Sequence, residues 1–224
     1  MPPGSSRRHA VLFDVDGTLV DSNYLHTLAW ARAFHDIGRH VPMYLIHRAI
    51  GMGSDQLVEH LLGEQSDAAS DGHSRHMQEL RDDQRPFPGA ADLLREVKRR
   101  GAMVALATSA KPEEIEHLQD LIAARDAVDV VTGSQDVERS KPAPDLFQVT
   151  LERCGLEAAD ALAVGDSRWD IEAAAQIGLR CIAVLTGGSG AAELWEAGAL
   201  AVYEDVAELL RKLDESPLEG LLRS

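Results

Sequence analysis

The stretch AVLFDVDGTLVDS (residues 10–22) decides the fold. It opens with a short apolar run, residues 10–16, which ends in Asp16 and is followed by Gly17. A short run rich in Val, Leu and Phe that stops at a turn signal is typical of a buried parallel strand. We therefore expect a central strand here, with a tight turn directly after it.

Comparable apolar runs recur along the chain and alternate with helical patterns. The further strand candidates are residues 102–108, 128–132, 161–164 and 180–185, and helical patterns cover residues 112–124, 144–154 and 170–177. Strands that alternate with helices in this way predict an α/β fold, a doubly wound parallel sheet with helices on both faces.

The spacing is uneven after the first strand. Roughly 85 residues separate it from the second strand, whereas a βαβ unit needs only about 30. Residues 22–86 contain helical patterns at 23–37, 42–50, 54–63 and 73–84 and no convincing strand. We therefore predict a core domain of residues 1–21 and 87–224 and an inserted α-helical cap domain of residues 22–86. An insert at this point would cover the carboxyl edge of the sheet, where lids are found.

The charge balance restricts the partners. Acidic residues number 37 and basic residues 22, which gives a formal net charge of −15. A field of this sign repels phosphate backbones and anionic lipids, so we expect no nucleic-acid or membrane partner. A small anionic substrate is still compatible with it, because a few local cations or a metal ion override the mean field.

The cysteine count and the amino-terminal segment restrict the compartment. Cys154 and Cys181 are the only cysteines, which excludes a disulfide scaffold and a cysteine-built zinc site. No apolar run approaches the length of a membrane span. Residues 1–8 are predicted to be a loose tail, and Asp14 and Asp16 interrupt the following apolar stretch too early for a secretory signal. A cytoplasmic location is expected.

Polar side chains follow the predicted strands at their carboxyl ends. The set comprises Asp14, Asp16, Thr108, Asp166 and Asp170, with Lys141 just before the helix that leads into the fourth strand. Ligands of open α/β sheets bind outside the carboxyl ends of the strands, so these side chains should converge on one site.

The residue types in this set favour chemistry on a phosphoryl group. Asp14 and Asp16 are two residues apart, so a regular strand end would point both carboxylates the same way, and one pKa should be raised. That suits one ionised nucleophile and one proton donor. With Asp166 as a third acid, a hard cation with oxygen ligands is expected, Mg²⁺ first. Lys141 offers a compact positive charge and Thr108 a hydroxyl donor for phosphoryl oxygens.

Four segments of the chain resemble the four motifs of the haloacid dehalogenase (HAD) superfamily, in the order and spacing of that family. They are DVDGTLVDS (14–22), ALATSA (105–110), SKPAPDLF (140–147) and VGDSRWD (164–170). The position of the insert resembles the subfamily with a helical cap between the first two motifs. The stretch HRAIGMGSDQLVEHL resembles phosphoglycolate phosphatase-like members.

The resemblance implies a role for each motif residue. It makes Asp14 the nucleophile that forms an aspartyl-phosphate, and Asp16 the general acid and base whose backbone carbonyl also binds Mg²⁺. Thr108 and Lys141 would hold the phosphoryl oxygens. The implied metal site consists of Asp14, Asp16, Asp166 and, in support of Asp166, Asp170. The neighbouring motif residues predicted to contact the substrate are Gly17, Thr18 and Ser109.

Two cap residues are candidates for recognition of the leaving group, His26 and Arg48. A histidine at the position of His26 often faces the substrate in this family, and Arg48 could face a substrate anion or form a surface ion pair. Tyr24 and Trp30 are expected in the core of the cap because aromatic residues at helical spacing usually pack inside. His73 is expected to be solvated.

The sequence thus predicts a Mg²⁺-dependent phosphatase of a small phosphorylated metabolite, a phosphomonoester for which phosphoglycolate-like compounds are candidates. The enzyme is expected to act as a monomer or homodimer. A sugar phosphomutase of the β-phosphoglucomutase type is the alternative, which His26 fits, although residues 52–55 lack the arginine of that type. Asp16 argues against a 2-haloacid dehalogenase, and the lack of lysine before residue 95 argues against a phosphonate hydrolase. A binding protein without activity is disfavoured because all four motifs are intact.

Overall fold

A six-stranded parallel sheet forms the centre of the molecule in the computed structural model, which describes residues 9–223. The strands are β1 (Ala10–Phe13), β2 (Val20–Asp21), β3 (Arg85–Pro86), β4 (Met103–Ala107), β5 (Val130–Thr132), β6 (Ala161–Gly165), β7 (Arg180–Val184) and β8 (Ala201–Tyr203). The main sheet has the order β5-β4-β1-β6-β7-β8, and β2 pairs with β3 in a separate two-stranded ribbon. The predicted doubly wound α/β core is confirmed.

Eleven α-helices lie within residues 9–223. Four fall between β2 and β3: α1 (Asn23–Asp36), α2 (Met43–Ala49), α3 (Ser54–Leu62) and α4 (Asp67–Glu79). The others follow β3: α5 (Ala90–Arg99), α6 (Pro112–Ile122), α7 (Asp145–Cys154), α8 (Arg168–Ala175), α9 (Ala191–Ala197), α10 (Val206–Arg211) and α11 (Pro217–Leu222). None of these helices is long and apolar enough to cross a membrane.

The central strand β1 is apolar throughout because both faces of the sheet are covered. All four of its residues are buried. Val11 and Phe13 pack into one apolar layer and Ala10 and Leu12 into the other, as the alternation of side chains along a strand requires. β1 lies between β4 and β6, so the residues that follow these three strands meet at one edge of the sheet.

The helices α1–α4 have an apolar interior of their own. It is built around Trp30, Phe34, Ile46 and Leu57, all of which are buried. The ribbon pairs Val20 with Pro86 and Asp21 with Arg85, so the chain leaves and re-enters the core at adjacent points. This arrangement is compatible with the predicted cap of residues 22–86, whose independence as a domain stays a prediction.

The structure corrects several boundaries. The first strand ends at Phe13 rather than Asp16, because the backbone N–H groups of Leu19 and Val20 turn back onto the carbonyl of Val15. The helix predicted at 73–84 is α4, and it begins six residues earlier, where the Ser66 hydroxyl accepts a hydrogen bond from the Ala69 N–H. β3 is a strand that the sequence pattern of 22–86 did not indicate. The predicted tail of residues 1–8 lies outside the described residues.

Candidate active site

Lys141 and two carboxylates form the buried centre of the site. Asp14 directly follows β1, Asp170 lies in the first turn of α8, and Lys141 precedes α7. The Lys141 ammonium forms ion pairs with Asp14 and, at 2.6 Å, with the Oδ1 atom of Asp170. Lys141 is only 1% exposed. A buried ammonium is tolerated when it is paired in this way, because the carboxylates replace the water it has lost.

The pKa values in this centre follow from burial and charge. Burial disfavours the charged form of Lys141, but Asp14 and Asp170 outweigh it and raise the pKa of the ammonium above its usual range. Burial raises the pKa of Asp14 well above its ordinary value, and Lys141 opposes that rise while Asp170 and Asp166 add to it. Lys141 therefore stays positively charged, and this one ammonium is shared by the carboxylates of Asp14 and Asp170.

A third buried carboxylate, Asp166, follows β6. Carboxylate oxygens of Asp14, Asp166 and Asp170 lie within 4.8 Å of one another. Burial and the neighbouring Asp170 raise the pKa of Asp166 to about 7. Three buried acids beside one ammonium leave an excess of negative charge in a poorly solvated space, and their oxygen atoms suit a hard divalent cation. The residues present therefore fit a metal ion.

The turn after β1 places Gly17 and Thr18 directly against Asp166. Gly17 has a φ of +77°, and a Cβ atom there would lie 2.5 Å from the Oδ2 atom of Asp166. Glycine is required for both reasons. The next residue, Thr18, is fully buried. Its hydroxyl donates to Oδ1 of Asp166 at 3.0 Å, and the hydroxyl oxygen lies 3.3 Å from Oδ2 of Asp14.

Asp16 has partners different from those of Asp14, which corrects the expectation of two parallel carboxylates. Its Oδ1 atom accepts the Ser22 hydroxyl at 2.6 Å and lies 3.2 Å from Nε2 of His26. Burial disfavours ionisation of Asp16, but His26 and the hydroxyl of Ser22 outweigh it and lower its pKa. Burial likewise opposes protonation of His26, and Asp16 raises its pKa in spite of that. Both shifts favour an ion pair between the cap and the core.

His73 extends this pair into the cap, and the expectation that it is solvated is wrong. Its Nε2 atom lies 3.1 Å from Nδ1 of His26, and its ring stacks on Trp30 with centroids 4.1 Å apart. Burial and the charge of His26 hold the pKa of His73 well below its usual value. A neutral His73 can accept the Nδ1 proton of His26 and so fix the orientation of that ring. Trp30 is buried as expected, whereas Tyr24 is 61% exposed.

Thr108 and Ser109 stand at the end of β4. Thr108 is buried, and its hydroxyl oxygen accepts the backbone N–H of Ala110 at 3.1 Å. Ser109 is half-buried and faces a cavity between the cap and the core. Both residues thus lie at the same edge of the sheet as Asp14.

Two cavities of about 260 and 410 Å³ share the side chains of Asp16 and His26. Both are lined by Lys111, which directly precedes α6, and by Glu114 in the first turn of α6. The Lys111 ammonium also donates to the hydroxyl of Ser74 on α4 at 2.8 Å, a contact that joins the core to the cap. A small molecule in this space would lie beside Asp16.

Arg48 lies elsewhere. It is exposed and lines a third cavity of about 180 Å³ that contains Asp166 but neither Asp16 nor His26. Its backbone carbonyl accepts the indole N–H of Trp169 at 3.1 Å. A substrate contact by Arg48 stays a prediction, and it requires a ligand that reaches this side of Asp166.

Asp170 supports its neighbours through two contacts. Besides its ion pair with Lys141, its Oδ2 atom accepts the hydroxyl of Ser167 at 2.5 Å and the backbone N–H of Ser167 at 3.2 Å, while the N–H of Asp170 donates to the Ser167 hydroxyl oxygen at 3.4 Å. Ser167 is the N-cap of α8. The reciprocal bonds of this capping box satisfy two free N–H groups of the helix and hold Asp170 in place.

Comparison with known proteins assigns the family. The family model of the haloacid dehalogenase-like hydrolases matches residues 9–178. The chain therefore belongs to that family. It is 30% identical to phosphoglycolate phosphatase 1 of Pseudomonas aeruginosa in an alignment 226 residues long, gaps included. The alignment covers 92% of this chain and 80% of the relative. It is 32% identical to the plasmid-encoded protein CbbY of Cupriavidus necator, with 79% and 78% coverage.

A solved structure agrees with this assignment. A hydrolase from Pseudomonas syringae is similar to the chain with a TM-score of 0.87 and 32% identity, and the match covers 93% of this chain and 99% of that one. The resemblance drawn from the four motifs is confirmed, and the protein is an enzyme of the HAD hydrolase class.

Sequence reasoning did not identify four residues of the site: Ser22, Asn23, His73 and Lys111. Ser22 is the last residue of the motif stretch 14–22 and Asn23 follows it directly, and this position is the signal that could have found them. Lys111 directly follows the motif segment ALATSA (105–110), which is the signal that could have found it. His73 reaches the site from α4, and no motif marks it.

Proposed function

We propose that the protein is a Mg²⁺-dependent phosphatase that hydrolyses a small phosphomonoester through an aspartyl-phosphate on Asp14. The observation that carries the proposal is the buried group of Asp14, Lys141 and two further carboxylates at the edge of the sheet. Phosphoryl transfer depends on positioning and charge neutralisation more than on bond-making groups. A nucleophilic oxygen, an ammonium and a cation-binding set of acids supply both.

The cation would be held by the carboxylates of Asp14 and Asp166 and the backbone carbonyl of Asp16. Asp170 would support these ligands without binding the cation itself, because its oxygens already contact Lys141 and Ser167. When bound, Mg²⁺ would neutralise the negative charge shared by the phosphoryl oxygens and the nucleophile. The supporting role that the resemblance implies for Asp170 stays a prediction.

Each residue of the site has a separate role in the proposed reaction. A carboxylate oxygen of Asp14 attacks phosphorus while Lys141, Thr108 and Ser109 hold the phosphoryl oxygens. Asp16 receives a proton from the imidazolium of His26, 3.2 Å away, and gives it to the departing ester oxygen. The resulting carboxylate then takes a proton from the water that attacks the aspartyl-phosphate and returns it to His26. His26 sets the position of Asp16 through their contact at 3.2 Å. Water attack releases phosphate and restores Asp14.

Replacement of Asp16 should have an effect that depends on the leaving group. With Asp16→Asn we expect turnover of an alkyl phosphate to fall about 10²–10⁴-fold, the usual contribution of a general acid or base. The loss should be smaller for p-nitrophenyl phosphate, whose phenolate leaves without a proton. Steady-state rates on both esters check this. Equal losses on the two would remove Asp16 from the protonation step.

The substrate is proposed to be a small phosphorylated metabolite, with phosphoglycolate as one candidate because phosphoglycolate phosphatases are among the relatives. Lys111 supplies a positive charge to the cavity beside Asp16, while Glu114 supplies a negative one. A panel of phosphorylated acids, sugars and polyols, with kcat/KM measured for each, identifies the class. A monomer or homodimer and a cytoplasmic location remain predictions.

A phosphomutase of the β-phosphoglucomutase type is the second candidate. The contact of His26 with Asp16 favours it, since a proton could pass to and from a second sugar hydroxyl there. The two activities differ in product. A phosphatase releases inorganic phosphate in step with substrate loss, whereas a mutase yields an isomer with little free phosphate.

The cap is proposed to move as a unit on the two connections near residues 18–22 and 84–89. Cys154 and Cys181 are both buried, so fluorophores attached to Gln65→Cys and Glu157→Cys would label one cap site and one core site. We expect energy transfer between them to change when Mg²⁺ and fluoroberyllate occupy the site. An unchanged transfer efficiency, with the analogue bound, would contradict the movement.

The proposed function is tested first with p-nitrophenyl phosphate. Purified protein should release phosphate in Mg²⁺, lose that activity in EDTA, and regain it when Mg²⁺ is restored. Full activity after EDTA treatment and dialysis would overturn the metal requirement, and no turnover of any ester in the panel would overturn the phosphatase.

A further inference from the structure

Asn23 is a buried polar residue that the proposed mechanism does not use. It is the first residue of α1 and is 4% exposed. Its side-chain amide donates to Oδ2 of Asp166 at 2.8 Å. Its carbonyl oxygen, Oδ1, has no hydrogen-bond partner within residues 9–223. Buried polar atoms without a partner are uncommon in proteins, so this oxygen calls for a ligand or a water molecule.

The surroundings of Asn23 favour water as that partner. The residue lines the cavity of about 180 Å³ that also contains Asp166 and the backbone of Gly187. That volume exceeds the roughly 30 Å³ that one water molecule occupies. The cavity is separate from the two that contain Asp16 and His26, so solvent can reach Asp166 from this side without crossing the substrate side.

The packing fixes Asn23 against Asp166. A Cβ atom at Gly17 would lie 2.3 Å from the amide nitrogen of Asn23, and one at Gly187 would lie 1.9 Å from Oδ2 of Asp166. Neither neighbour could carry a side chain without displacing this pair. With the Thr18 hydroxyl on Oδ1, each oxygen of Asp166 accepts one hydrogen bond, and the orientation of the carboxylate is set.

The helix α1 does not need this side chain. Its N-cap is Ser22, and the side chain of Ser22 makes no capping bond. Thr27, one turn later, donates its hydroxyl to the backbone oxygen of Asn23, not to its side chain. A helix-capping role therefore does not explain the buried amide.

We propose that Asn23 is a positioning residue of the metal site. Its N–H group orients Asp166, and its free carbonyl oxygen accepts a hydrogen bond from water in the hydration shell of the cation. This inference rests on the proposed Mg²⁺ dependence. Groups that support a metal ligand in this manner typically change metal affinity 10–100-fold when removed.

The test measures Mg²⁺ binding by the full chain, both by calorimetry with the metal alone and by the rise in Tm that Mg²⁺ produces. Asn23→Val keeps much of the side-chain volume and removes both polar atoms, and Asn23→Ala serves if the valine does not fold. We expect each to weaken Mg²⁺ binding about 10–100-fold.

Thr27→Val is the matched control on the same helix. It removes a buried hydrogen bond near Asn23 without touching Asp166, so it should lower the Tm in EDTA and leave the Mg²⁺ affinity unchanged.

The outcomes separate the two proposals. Wild type that binds Mg²⁺, with Asn23 variants that bind it equally well, would overturn the role of Asn23 alone. Wild type that binds no Mg²⁺ would overturn the proposed function and this inference together.

Discussion

Asp14→Asn is expected to lower kcat by at least about 10⁴-fold on every phosphomonoester, as loss of a covalent nucleophile does in other enzymes. The amide keeps the shape of the carboxylate but cannot attack phosphorus. Asp14 is 6% exposed and paired with Lys141, so the substitution also removes one negative charge from a crowded site. The fold should therefore persist, and the Tm in EDTA should not fall.

Asp21→Asn is the matched control. It makes the same chemical change seven residues later, at an exposed position in β2, and should leave kcat unchanged. Rates of phosphate release by the two variants, measured at saturating substrate and Mg²⁺, test whether Asp14 is the nucleophile. An Asp14→Asn enzyme with a rate near wild type would exclude covalent catalysis by Asp14.

Lys141→Met should have the largest effect on stability. Lys141 is one of the largest fully buried side chains and holds Asp14 and Asp170 together. Removing one member of a buried ion pair leaves the other charge uncompensated, which costs about 3–5 kcal/mol. We expect the free energy of unfolding in EDTA at neutral pH to fall by about that amount, and catalysis to be lost as well.

Lys98→Met provides the comparison. Lys98 pairs with Asp129 on the surface, where its side chain is 42% exposed, and exposed pairs contribute about 0–1 kcal/mol. Urea unfolding of both variants measures the difference. A Lys141 variant as stable as the Lys98 variant would contradict the assignment of Lys141 as the charge that compensates the buried acids.

The sheet and the position of the core motifs could be predicted because each depends on local sequence. β1, β4 and β6 are apolar runs buried on both faces, and the residues after them must meet at one edge once the strands are parallel. The placement of Asp14, Thr108 and Asp166 follows from that topology alone. The separate partners of Asp14 and Asp16 do not follow from it, because they depend on the turn in which the N–H groups of Leu19 and Val20 bond to the carbonyl of Val15.

Contacts between the cap and the core could not be predicted in the same way. His73 comes from α4 and stacks on Trp30 from α1, and no sequence period relates the two positions. Arg48 is a candidate for a substrate contact or for a surface ion pair, and the sequence did not indicate that the packing of α2 places it at the cavity that contains Asp166. Such contacts depend on the angle at which helices of the cap meet the sheet, and side-chain patterns along one helix do not encode that angle.

The aspartyl-phosphate on Asp14 is the central claim, and trapping it is the most direct test. Enzyme mixed with Mg²⁺ and a phosphomonoester would be quenched in acid within milliseconds, reduced with borohydride, and digested for mass spectrometry. The reagent reduces an acyl phosphate to an alcohol, so we predict homoserine in place of aspartate at position 14 of the peptide that contains DVDGTLVDS. Homoserine at another position, or an unmodified peptide from an enzyme shown to be turning over, would contradict the account.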